Sequence, residues 1–204
     1  YDDDYYEDLI KSYSTKVNFV KFEEKNLCVR VAKLLQSKHI VAWFQGRMEF
    51  GARALGNRSI LASPFDAKMR DKLNYVIKKR EGFRPFAPSV LAEDVGRYFV
   101  VRDPVPYMNQ VVPVKRGSYD LFPAATHIDK TARIQAVEKE GNPKYYLLLN
   151  EFKSLTGHGV LLNTSFNLKD ETITRTPDQA LSRFIHSDID YLVLGNYLVI
   201  KKWK

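Results

Sequence analysis

Apolar residues recur along this chain with two different periods, and the switches between them mark alternating helices and strands. Leu27, Val31, Leu34 and Leu35 keep helical spacing up to about Ser37, and Ile40 to Phe44 is then an unbroken apolar run suited to a buried strand. A long loop follows, after which Met69, Leu73, Val76 and Ile77 return to helical spacing with Asp66 placed as a cap. A short strand is expected at Pro88 to Leu91, and prolines break up the stretch from Pro104 to Pro123 around one strand at Gln110-Val111-Val112. Asn142-Pro143 opens a helix that turns Tyr145, Leu148, Leu149 and Phe152 inward and stops at Gly157. Val160-Leu161-Leu162 is a buried strand, and Thr176 with Gln179 forms a capping-box start for a helix carrying Ala180, Leu181, Phe184 and Ile185. Tyr191 to Leu194 and Tyr197 to Ile200 flank Gly195-Asn196, a hairpin signal. Strands mixed with helices in this order predict an α/β domain, a twisted mixed β-sheet with flanking helices.

Composition narrows the class. The 204 residues are 45% hydrophobic, enough for a substantial core, and no apolar run reaches the roughly 20 residues of a membrane helix. The start, Tyr1-Asp2-Asp3-Asp4-Tyr5-Tyr6-Glu7, lacks the basic end and apolar stretch of a secretory signal. Residues 1 to about 25 are expected to be a linker or docking arm within a longer protein, leaving residues 26 to 204 as the folded domain. Cys28, the only cysteine, lies on an apolar helix face as core filler; with no disulfide possible, a reducing, cytoplasmic setting is expected. The histidines at 39, 127, 158 and 186 have no paired metal-ligand spacing. A net charge of +8 points to an anionic partner without saying which.

Distribution says more than the total. Arg47, Arg53 and Arg58 share one segment with Gly46, Gly51, Gly56 and Glu49. Glycines let backbone amides approach an oxyanion and guanidinium groups bind phosphate oxygens in a fixed geometry. The segment is neither a Walker A loop nor a GxGxxG fingerprint, and it also fits a solvated turn whose charges pair with Glu49. Next, Lys78-Lys79-Arg80-Glu81-Gly82-Phe83-Arg84-Pro85-Phe86 would set Arg84 on a proline-stiffened scaffold. Near Thr131, alternation places Arg133 and Gln135 on one strand face. Finally, Asn163 and Ser165 fall at alternate positions at the end of a buried strand, where open α/β sheets often bind ligands.

The segments GRMEFGARALGNRSIL, FRPFAPSV, THIDKTARIQAV and LLNTSFN, in this order, resemble the C-terminal domain of the carbamoyltransferase family that includes the nodulation, cephamycin and tobramycin O-carbamoyltransferases. The resemblance spans about Leu27 to Ile200 and implies a fold similar to that of proteins making threonylcarbamoyl-adenylate. It also implies binding of ATP, with Mg2+ on its phosphates, and of carbamoyl phosphate, which react to carbamoyl-adenylate. An N-terminal transferase domain, with an iron site that this chain lacks, would then carbamoylate a hydroxyl. By motif position, the resemblance places ligand contacts at Arg53, Lys78, Arg84 and Arg133, completed by Asn163 and Ser165; Lys79 and Arg80 are rival charges beside Lys78. Alanine at 52 and lysine at 130 depart from the family's usual proline and glycine. Two other readings are an RNA-binding domain related to tRNA-modification proteins and a noncatalytic nucleotide-binding module. Against RNA, the arginines cluster in Gly- and Pro-framed loops rather than among exposed aromatics.

Overall fold

The computed structural model of the chain describes residues 1–202. In chain order these form α1 (Asp3–Ser12), β1 (Val17–Lys21), α2 (Glu24–Gln36), β2 (Val41–Phe44), β3 (Arg58–Ala62), α3 (Ala67–Asp71), β4 (Ala87–Leu91) and α4 (Val95–Tyr98). There follow β5 (Val112–Pro113), β6 (Thr131–Ala132), β7 (Gln135–Val137), α5 (Pro143–Thr156), β8 (Val160–Ser165), α6 (Pro177–Ile185), β9 (Tyr191–Leu194) and β10 (Tyr197–Lys201). An eight-stranded mixed sheet in the order β1-β10-β9-β2-β3-β8-β4-β7 is the backbone of the domain, with β5 and β6 pairing separately.

Alternation along the central strands splits the core into two layers. Ala42, Phe44, Ile60, Leu192 and Leu194 face α1, α3 and α6, whose Ile10, Met69 and Phe184 pack there. Val41, Trp43, Leu61, Leu161 and Val193 face α2 and α5 and meet Val31, Leu35, Leu148 and Phe152. With helices on both faces the middle strands have no wet side, so β2 and β3 are buried along their whole length. A third cluster, around Tyr98, Phe99 and Phe122, supports the proline-rich excursion between β4 and β7.

Local signals fixed several elements as read. Asp66, Asn142 and Thr176 each accept a backbone N–H at the start of their helices, and Gly157 closes α5 with φ of 79°. Residues 1–25, expected to be a linker or docking arm, lie against the rest of the domain: β1 pairs with β10 in register Val17↔Lys201, and Tyr6 and Ile10 of α1 are buried. β1 becomes the outermost strand on that side of the sheet, and the α1 side chains join the core on its face. The strand expected at 110–112 is reduced to Val112–Pro113, with Val111 58% exposed. Arg133 and Gln135 do not share one strand, because the chain breaks between β6 and β7 and Arg133 lies in the break.

Candidate anion-binding site

The candidate segments emerge at one edge of the sheet. β2 ends there, as does β8, while β3, β4 and β7 begin there. The β2–β3 loop, the end of β8 and the approaches to β4 and β7 therefore converge, and they carry Arg53, Ser165, Arg84 and Arg133 respectively.

The β2–β3 loop is held from within by two charged side chains. The Arg58 guanidinium, 2% exposed, donates to the carbonyls of Gln45, Gly46 and Asn57 and lies 3.5 Å over the Phe44 ring. Burial lowers its hold on its proton and the nearby Glu49 carboxylate opposes that. Glu49 Oε1 in turn accepts backbone N–H groups from Leu55, Asn57 and Arg58 at 2.7, 2.8 and 3.1 Å. Three of the backbone amides expected to greet a ligand are thus turned on Glu49, and Arg53 is among the side chains the loop exposes, with Arg47, Met48 and Phe50.

The approach to β4 is shaped by a wide π-turn at Lys72–Ile77, in which the Lys78 N–H reaches the Leu73 carbonyl. The wider turn leaves Val76 39% exposed, where simple helical spacing had it inward, and buries Asn74 instead. Asn74 Nδ2 donates to the carbonyls of Gly82 and Arg84, and its Oδ1 accepts from Arg80 Nε at 2.8 Å. One amide therefore shapes the whole basic loop. Lys78 is 5% exposed and engages its ammonium with the Ser165 carbonyl, the Asn167 carbonyl at 3.0 Å and Asn167 Oδ1 at 2.7 Å. Burial, with Arg80 and Arg183 nearby, pushes it down to about 7, and Glu171 acts the other way. Arg84 is half-exposed, 3.0 Å from Glu81.

Beyond Ser165 the pocket floor is a neutral network. Asn163, 1% exposed, donates through Nδ2 to Ser89 Oγ at 3.0 Å and to the Ala54 carbonyl at 3.2 Å. Gln135 accepts from Ser89 Oγ at 2.6 Å and donates to the Leu55 carbonyl at 2.8 Å. Asn163 Oδ1 and Arg133 Nε are buried without a hydrogen-bond partner among the described residues. Burial first, and then the neighbouring Arg53, lower the hold of Arg133 on its proton. Both guanidinium groups line one cavity, an arrangement that suits an anion between them.

These parts enclose two adjoining cavities. One, of about 280 Å³, is walled by Lys78, Arg80, Arg84, Ser165 and Asn167. The other, of about 120 Å³, is walled by Arg53, Arg80, Arg133, Asn163 and Ser165. The residues singled out in the sequence are therefore all present, divided between two spaces. Arg80 and Ser165 border both. Arg80, noticed in the sequence only as a rival to Lys78, is the better placed of the two for a ligand: its Nε rests on Asn74, its plane lies 4.9 Å over Phe86, and it has no carboxylate partner among the described residues. Asn74 could not be found from spacing, because its partners lie in a loop whose course the sequence does not reveal; Gln135, singled out beside Arg133, braces the floor through Ser89 and Leu55. No group of three His, Cys, Asp or Glu suited to a metal occurs among the described residues, and none of their helices is long and apolar enough to cross a membrane.

Comparisons with known proteins identify the family. The nodulation protein NolNO of Sinorhizobium fredii is 47% identical over 85% of this chain and 26% of its own length. A 3'-hydroxymethylcephem-O-carbamoyltransferase of Amycolatopsis lactamdurans is 46% identical over 72% of this chain and 28% of its own. A Synechocystis protein of unassigned function is 44% identical over 96% of the chain and 35% of its own length, so the chain spans about a quarter to a third of these relatives. In fold, the chain is similar to HypF of T. kodakarensis, with a TM-score of 0.55 and 14% identity over 93% of this chain and 23% of that one. The family model described as carbamoyltransferase C-terminus matches residues 32–201, and the chain belongs to that family.

Proposed function

We propose that this domain carries out the activating half of an O-carbamoyl transfer, binding carbamoyl phosphate and ATP side by side and joining them as carbamoyl-adenylate. The observation that carries the reading is the pair of adjoining cavities rich in cationic side chains, with Arg80 and Ser165 in the shared wall. Two polyanions brought together repel each other, and fixed guanidinium groups in a partly enclosed space offset that repulsion while orienting the reacting atoms. In the proposed sequence, water converts carbamoyl phosphate to carbamate and phosphate. A carbamate oxygen then attacks the α-phosphorus of ATP, and the bond to pyrophosphate breaks.

Arg53, Arg80 and Arg133 would hold phosphate oxygens in the smaller cavity, and Arg80 with Arg84 those in the larger. Lys78, its ammonium held by Ser165 and Asn167, would contribute charge from the wall of the larger cavity, and Ser165 and Asn163 neutral polarity. Magnesium fits as a companion of the ATP phosphates, since the described residues present no carboxylate cluster to hold it alone. The adenylate would pass to a transferase domain elsewhere in the longer protein, for which the relatives' greater length leaves room. Calorimetric titration of carbamoyl phosphate into protein saturated with a nonhydrolysable ATP analogue tests the two-cavity arrangement. Both ligands bind together if it is right; strict competition contradicts it.

A further inference from the structure

The backbone N–H groups of Leu55, Asn57 and Arg58 converge on a point, and an anion is already there. It is Oε1 of Glu49, six to nine residues earlier in the same loop. Three amide donors around one carboxylate oxygen form the kind of concave nest that binds free anions in other folds, and hydrogen bonds to a charged acceptor are the strong ones. The opposite polarity of the loop is handled separately, by Arg58 on the carbonyls of Gln45, Gly46 and Asn57. Arg53 lies between Glu49 and Leu55, on a span pinned at both ends by this contact.

We infer that Glu49 is a positioning residue: its carboxylate fills an anion-binding nest in the β2–β3 loop and so fixes the span that presents Arg53 to the smaller cavity. The consequence for ligand affinity rests on the function proposed above, whereas the filled nest does not. Removing the carboxylate leaves the donors of Leu55, Asn57 and Arg58 facing a vacancy of the right size for formate.

The test uses Glu49→Ala and formate, with the same concentration of chloride as the control. Formate raises the thermal midpoint of Glu49→Ala beyond the chloride effect and leaves the wild type unmoved, because only the variant has a vacant nest. Carbamoyl phosphate affinity of Glu49→Ala falls by about tenfold or more, the scale set by unsatisfied donors and a loosened loop, and formate restores much of it. A merely destabilising cavity would not respond to one small carboxylate in preference to chloride. Glu49→Gln, which keeps an acceptor at Oε1, folds and binds closer to wild type and shows no formate response. If Glu49→Ala fails to fold, refolding yield with formate against chloride replaces the midpoint. No formate-specific effect on midpoint or yield overturns the inference, even if wild-type protein binds no carbamoyl phosphate. Formate stabilisation without ligand binding by the wild type keeps the nest and sinks the functional reading alone.

Discussion

The Tyr145 ring occupies the space that a side chain on Gly56 would need. A Cβ built at Gly56 would fall among the Tyr145 ring atoms, and the backbone there has φ of 103°, which L-residues rarely adopt. The contact ties the first turn of α5 to the end of the β2–β3 loop. Its neighbours continue the tie: Trp43 Nε1 donates to the Gly56 carbonyl at 2.9 Å, and Ser59 Oγ accepts the Gly56 N–H at 3.1 Å.

Gly56→Ala should therefore destabilise the domain by about 2–5 kcal/mol, combining a strained φ with an overpacked ring. Tyr145→Phe should cost less than about 1 kcal/mol, because the Tyr145 hydroxyl is buried with no hydrogen-bond partner among the described residues. Denaturant unfolding of both variants checks the pair. Equal losses would mean that the hydroxyl, not the ring, makes the tie.

Among the arginines, position separates what motif spacing ranks together. Arg133 has a buried, unpartnered Nε beside Arg53, so Arg133→Ala should weaken ligand binding by about 2–5 kcal/mol, or roughly 30-fold to several thousand-fold. Arg84 is 52% exposed at its side chain and already pairs with Glu81, so Arg84→Ala should cost only several-fold. Calorimetry on folded variants orders them, and a larger loss at Arg84 would move the ligand out of the smaller cavity.

The sequence revealed the parts of this site better than their division of labour. Caps at Asp66, Asn142 and Thr176 act within one helical turn, which is why composition alone locates them. The strand β3 escaped notice because Arg58 and Ser59 at its start read as loop; only the distant carbonyls of Gln45 and Gly46 make Arg58 tolerable in a core. The π-turn likewise cannot be seen from spacing that fits an ordinary helix, although it decides that Asn74 points inward and Val76 outward. Asn163 was expected to face a ligand, and it does border the smaller cavity; what spacing could not show is that its amide already serves Ser89 and Ala54.

Under the proposed function, Lys78 would make ligand binding sensitive to pH. Its proton affinity in the free protein is depressed to about 7 by burial, and an incoming anion raises it again. Affinity should then be full below about pH 7 and decline as pH rises through the free-protein value towards the higher bound value. At pH 8, binding takes up a fraction of a proton, so the apparent enthalpy varies with the ionisation enthalpy of the buffer. Lys78→Met removes that variation. An enthalpy independent of buffer in the wild type at pH 8 would show that Lys78 does not change its protonation on binding.

The most direct test of the central claim is to supply the purified domain with ATP, magnesium and carbamoyl phosphate and to follow pyrophosphate release together with the mass of any adenylate formed. The proposed chemistry predicts slow pyrophosphate release that requires carbamoyl phosphate, a product of the mass of carbamoyl-adenylate, and no carbamoylated acceptor. Slowness is expected because, under the proposed function, the isolated pocket would stay open to water, where electrostatic stabilisation is weaker. Loss of the pyrophosphate signal in Arg133→Ala ties it to this site. Binding of both ligands by folded protein, with neither pyrophosphate nor adenylate even when the full-length protein is used, contradicts the account.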